Sequence, residues 1–198
     1  MTSQSQAQQQ YGTAQYGAHE ILEIHEVLAA SIDAINLFQV YRPFVQDPQL
    51  ARILDNQLQF MTQGYQTFVQ LINGQGAAQP AQFRAPKNVQ PLLGLRQPTP
   101  AAPNQPGEQL DDRDVACAAL NCHKNGAVKK MLAALECTNP QFRAYLQQSA
   151  VNCSEQAYEL WQYMNQKGFY QVPTLQDNTT QTMIQTYAPA PQGAFATR

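Results

Sequence analysis

Apolar residues recur at steps of three and four over two long stretches of the chain. In one stretch Leu50, Leu54, Leu58, Met61, Tyr65, Phe68 and Ile72 share a face. In the other, Phe142, Leu146, Ala150, Cys153, Ala157, Leu160 and Met164 do the same. The two stretches match at a constant offset of 92 residues: Pro48 with Pro140, Gln49 with Gln141, Leu54 with Leu146, Gln70 with Gln162, Asn73 with Asn165 and Gly76 with Gly168. Asp47 and Asn139 stand where an N-cap belongs, and proline suits a first helical position whose amide lacks a partner anyway. Gly74, Gly76 and Gly168 supply left-handed exits. One helix is written twice.

Two further helices complete the pattern. The first spans about Ala18 to Tyr41, with Ile21, Leu28, Ile32 and Ile35 on one face, and ends at Arg42-Pro43. The third begins near Asp111-Asp112, whose carboxylates favour a helix start, and runs to about Cys137. It carries Val115, Ala118, Leu120, Met131, Leu132 and Leu135. The division expected is a glutamine-rich tail (1–17), a first hairpin (18–76), a crossover linker (77–110), a second hairpin (111–172) and a loose tail (173–198). Seven of the 13 prolines lie between Pro80 and Pro106, so no regular element is expected in the linker.

Connection lengths then set the topology. Few residues separate the helices within each hairpin, so each pair is antiparallel. The middle connection is long enough to run the length of the bundle, so the third helix starts parallel to the second. An all-α bundle of two similar hairpins joined by one long crossover is the ferritin-like arrangement.

Composition narrows the function. Charged residues make up 13% of the chain and the net charge is −2, which suits neither nucleic acid nor an anionic membrane surface. Glutamine, at 32 residues, supplies much of the polar surface instead. The start of the chain lacks the apolar core and basic flank of a signal peptide, and no apolar run reaches bilayer length, so a soluble chain not exported by the general secretion route is expected. The four cysteines contain no Cys-x-x-Cys pair, which argues against structural zinc.

A ferritin-like bundle raises a di-iron centre, which takes one glutamate from each of two helices and Glu-x-x-His from each of the others. His19, Glu20, Glu23, His25 and Glu26 crowd the first helix, but a solvated first turn explains them, with His25 at the edge of the apolar face. The second helix has Asp55 as its one acid and no histidine. Glu155 and Glu159 lack a histidine three residues on. Cys122 and His123 are adjacent and so point apart on a helix, which disfavours a catalytic pair. Cys153 reads as a small core residue, level with Cys122 across the turn, where a disulfide depends on helix phase. Cys137, at a helix end, reads as the exposed thiol. The tail glutamines with Tyr11, Tyr16 and Tyr187 read as solvated polar chain, with covalent cross-linking as the sharper alternative. No catalytic, metal-binding or cofactor-binding residue is nominated.

One resemblance names a function. Asp112-Arg113-Asp114-Val115-Ala116, Asn139-Pro140-Gln141 continuing to Arg143, and Tyr163-Met164-Asn165-Gln166-Lys167-Gly168-Phe169-Tyr170 resemble the coat F family of spore coat proteins. Residues 111–172 carry the likeness well and 18–76 less tightly. Where the family pattern often has acidic and histidine residues midway along the fourth helix, this chain has Cys153-Ser154-Glu155-Gln156. The resemblance implies a structural, non-catalytic component of the endospore coat, without cofactor. Its partners would be other coat proteins or further copies of itself, and it would reach the coat from the mother-cell cytoplasm. The rival class is a degenerate ferritin-like metalloprotein that binds or oxidises iron.

Overall fold

The computed structural model describes residues 15–75, 80–98, 100 and 102–190. Residues 1–14 and 191–198 of the expected tails, with Tyr11, and Gly76 lie outside that range. The helices are α1 (Ala18–Tyr41), α2 (Pro48–Ile72), α3 (Asp112–Glu136), α4 (Pro140–Gln166) and α5 (Asp177–Gln185), with a 3-10 turn at Arg42–Phe44. Asp47 and Asn139 cap α2 and α4 by accepting from Gln49 N–H and Gln141 N–H. Asp111 and Asp114 cap α3 reciprocally. Gly74 and Gly168 exit at φ 68° and 78°, where a Cβ would be strained.

Cross-helix contacts fix the directions. Glu20 meets Asn139, Glu26 meets Lys129 and Phe38 meets His123, so α1 runs antiparallel to α3. Asp47 meets Lys167, Gln57 meets Gln156 and Gly64 meets Tyr145, so α2 runs antiparallel to α4. With two antiparallel hairpins, α2 and α3 are parallel and need the long crossover. The bundle is ferritin-like.

Two apolar clusters form its core. One, around Phe38, Leu50, Leu54, Leu120, Leu160 and Met164, fills the end where α2 and α3 begin. The other, around Ile24, Val27, Phe68, Leu71, Phe142 and Leu146, fills the opposite end. The α4 stripe is buried at all seven positions, whereas Leu58, Met61, Tyr65 and Ile72 of the α2 stripe are half-buried. Two other stripes differ from expectation. On α1 the buried line is Glu20, Ile24, Val27 and Phe38, leaving Ile21 and Ile32 exposed. On α3 the buried line is Val115, Ala116, Ala119, Leu120, His123, Ala133 and Ala134, leaving Met131, Leu132 and Leu135 exposed. Alanine supplies four of the seven buried α3 positions, so that helix leaves its large apolar residues outside, whereas Ile24, Val27 and Phe38 fill the α1 line.

The proline-rich connection is tied down by side chains of α4. Asn152 accepts from Phe83 N–H and donates to the Ala81 carbonyl, and Glu155 accepts from Ala85 N–H. Gln162 and Gln166 donate to the carbonyls of Pro86 and Gln90. Asn165 accepts from Leu92 N–H and donates to the Leu92 and Tyr170 carbonyls. Proline removes amide donors from this segment, so it forms no ladder beyond the bridge of Leu93 and Gly94 with Val172, and side chains of α4 satisfy several of the backbone groups that remain. Residues 80–98 form a strap along the bundle. Past the second hairpin, α5 is helical yet none of its residues is buried, within a stretch expected to be irregular.

Candidate functional site

The motif residues collect at helix ends. Asp112, in the first turn of α3, accepts from Gln46 N–H and Asp47 N–H at 2.8–3.2 Å. Lys167, just past α4, pairs with Asp47 at 2.6 Å, and its hydrogen bond holds the Asp47 carboxyl below the usual range. Phe169 packs edge-on against Tyr163, and Tyr170 against Trp161, with Lys124 over the Tyr170 ring. At the other end, Glu20 accepts from Asn139 N–H at 2.7 Å and from the Thr138 hydroxyl. The Asp112, Lys167 and Glu20 contacts join the second hairpin to the first, whereas the Phe169, Tyr170 and Lys124 contacts pack within the second. The acidic entry, the turn and the lysine-glycine exit are thus staples on a bundle.

Glu20 departs from the sequence reading. It is 1% exposed, not solvated, and serves the α3–α4 turn. His19 and His25 are both exposed, so the α1 cluster does not converge. Among the described residues no group of three or more His, Cys, Asp or Glu side chains is placed to hold a metal ion.

The middle of the bundle holds a buried polar chain that the sequence did not reveal. His123 Nε2 lies 2.9 Å from Gln57 Oε1. The Gln57 amide in turn donates to the Gln156 carbonyl and to Glu159 Oε2. Burial, helped by the charge of Lys130, pushes the His123 imidazole down to about 3, so the ring is neutral and donates through Nε2. Burial raises Glu159, offset in part by the Gln57 bond. Phe38 meets the His123 ring edge-on at 5.3 Å. A glutamine paired with a histidine leaves no pattern in sequence, because neither type is distinctive alone.

The four cysteines are free thiols. Cys153 is buried, as its stripe position implies, and Lys130 Nζ donates to its sulfur at 3.2 Å. Cys122 is half-buried and forms no bridge to it. Cys137 is 6% exposed rather than open, and burial with nearby Glu20 lifts it to about 11. The α4 N-terminus and Glu20 fold over that helix end and cover it. Tyr16, expected in a free tail, packs against Phe142 at 5.5 Å, whereas Tyr187 is exposed.

Space remains around Cys153, because small residues separate the two apolar clusters. A cavity of about 140 Å³ lies between α1, α2 and α4, and a wider hollow of about 470 Å³ between α1 and α3. Lys130 and Cys153 line both. Two glycines border this band and should respond differently to alanine. A Cβ at Gly64 would meet the Tyr145 hydroxyl at an ordinary 3.8 Å, so Gly64→Ala should stabilise by about 1 kcal/mol through helix propensity. A Cβ at Gly126 would press on Cys153 Sγ at 3.2 Å, which offsets the same gain. Gly126→Ala should therefore stay within about 0.5 kcal/mol of the parent. Urea unfolding of both variants checks the pair, and equal gains would contradict the close contact.

Comparisons with known proteins agree with these motifs. The coat F domain model matches residues 111–173. The spore coat protein F-like protein YhcQ of Bacillus subtilis (strain 168) is 30% identical over 176 residues, covering 88% of this chain and 81% of the relative. This chain belongs to the coat F family of spore coat proteins. A solved structure from Bacillus halodurans C-125, provisionally assigned as a spore coat protein, superposes with a TM-score of 0.61. It covers 82% of this chain and 96% of that one at 16% identity, a likeness of fold. The coat F match falls on the hairpin whose ends carry Asp112, Asn139 and Lys167. In the described residues no helix is long and apolar enough to cross a membrane.

Proposed function

We propose that this member of the coat F family is a non-catalytic structural component of the endospore coat, which joins other coat proteins or further copies of itself. The observation that carries the reading is where the motif residues sit. Asp112, Asn139, Lys167 and Gly168 each close a helix end, and none of them lines the cavities in the middle of the bundle. A pattern spent on joining hairpins suits a rigid unit. The buried histidine and the half-buried Glu159 bond to glutamine, which is a packing use of groups that chemistry could otherwise employ.

Assembly has exposed apolar surface to draw on. Val128, Leu132 and Leu135 stand out from α3, and Met183 and Ile184 from α5. The test is fractionation of spores from the bacterium that encodes the protein. Recovery in the coat extract, and not from stripped spores, is the expected result. Confinement to the mother-cell cytosol would count against the coat role.

A further inference from the structure

Two side chains with hydrogen-bond donors to spare line one cavity in the middle of the bundle. Among the described residues no carboxylate lies within ion-pair distance of Lys130, and its one polar contact there is the Cys153 sulfur. Gln156 is 1% exposed, and among the described residues its Nε2 has no partner. A buried amide donor left unpaired is costly, and native proteins seldom tolerate one without a reason. Both groups line the cavity of about 140 Å³.

The other polar groups of that wall are largely occupied. Ser31 donates to the Val27 carbonyl, Tyr145 to the Gly64 carbonyl, and Asn152 holds the strap through both amide atoms. No aspartate or glutamate lines the cavity, and Leu28, Phe60, Met61 and Phe68 supply apolar wall. The chemistry is therefore one-sided: a cation and an amide N–H against hydrocarbon and aromatic surface. An inorganic anion would leave the apolar wall unused, and a hydrocarbon would leave both donors unpaired. An apolar cavity of roughly 150 Å³ holds a benzene molecule, which sets the size of the occupant.

We propose that this cavity is a binding site for a small monocarboxylate with an apolar body about the size of a benzene ring. Its carboxylate meets Lys130 Nζ and Gln156 Nε2, and its body lies against Phe60, Met61 and Phe68. The site asks for no reaction and no metal, and it stands apart from the coat role.

The test uses the full chain and three probes: benzoate, toluene and acetate. The methyl carbon of Met61, on the cavity wall, reports occupancy by NMR. Benzoate should shift that methyl with a Kd on the order of 1 mM, as its size permits, while toluene and acetate each bind at least roughly tenfold more weakly. Lys130→Met should weaken benzoate about tenfold or more and leave toluene unchanged. Equal response to benzoate and toluene would show a plain apolar void and overturn the proposal. So would an unmoved Met61 methyl at about 20 mM benzoate, more than tenfold above the expected Kd. The comparison of probes on the unaltered chain keeps the test decisive even where Lys130→Met fails to fold.

Discussion

Acidification from pH 6.5 to about 4.5 should cost the native state about 2 kcal/mol, and His123→Gln should remove most of that loss. His123 is held near 3 in the fold, against an ordinary value of 6.5. Between those values the unfolded chain binds a proton that the native ring does not. Stability therefore rises with pH across the window and is fully present above about 6.5. It falls by up to about 1.4 kcal/mol for each pH unit below that. Glutamine keeps an N–H to offer Gln57 Oε1 but does not titrate. Glu159 acts with the opposite sign, because its raised value lets the native state gain a proton first. Asp47 and Asp55, both held low by basic partners, add their loss only further into acid. The difference between parent and variant thus isolates the histidine. Denaturant midpoints measured across the window provide the check, and parallel profiles would contradict a neutral buried ring.

Asn165→Ala should destabilise by about 3 kcal/mol, whereas Asn73→Ala, at the matching place in the first hairpin, should change stability by less than about 0.5 kcal/mol. Asn165 is fully buried and its side chain serves three backbone groups, at Leu92 and Tyr170. Removal strands those groups where water is scarce. Asn73 is exposed, and its amide reaches only its own helix. The same variant should release the strap, so trypsin should cut after Lys87 and Arg96 faster than in the parent. Equal stability losses at the two asparagines, or unchanged cleavage, would contradict the role of α4 in holding the crossover.

These two asparagines show how far a repeat can be read. They match at the 92-residue offset, and the helix, its cap and its glycine exit follow from residues within a turn or two. Local rules cover local events. What the two copies are used for differs, because α4 holds the strap through polar side chains, whereas α2 meets it through the Phe60 ring against Phe83. At Asn73 and Asn165 themselves nothing in the sequence marks that difference. The burial of Glu20 was illegible for a similar reason: acids at a helix start are ordinarily solvated, and only the arrival of the α3–α4 turn encloses this one. Cys137 is covered by the same turn. On α1 and α3 the expected stripe and the buried one differ. The buried α3 line is built largely from alanine, whose small size leaves a weak hydrophobic signal, and on α1 the line through Ile24, Val27 and Phe38 is turned from the one through Ile21 and Ile32.

Sequence alone determined the four bundle helices, the caps of α2, α3 and α4, the doubled hairpin, the crossover and the family motif, but not α5. Each depends on spacing along one chain, through the 3.6-residue period or the limits of proline and glycine. Tertiary structure alone decided which face of α1 and α3 is buried. It also decided the partners of His123, the anchoring of the strap and the unspent donors beside Cys153. Those features depend on groups tens of residues apart meeting in space, where burial and pairing settle the energy of each polar atom.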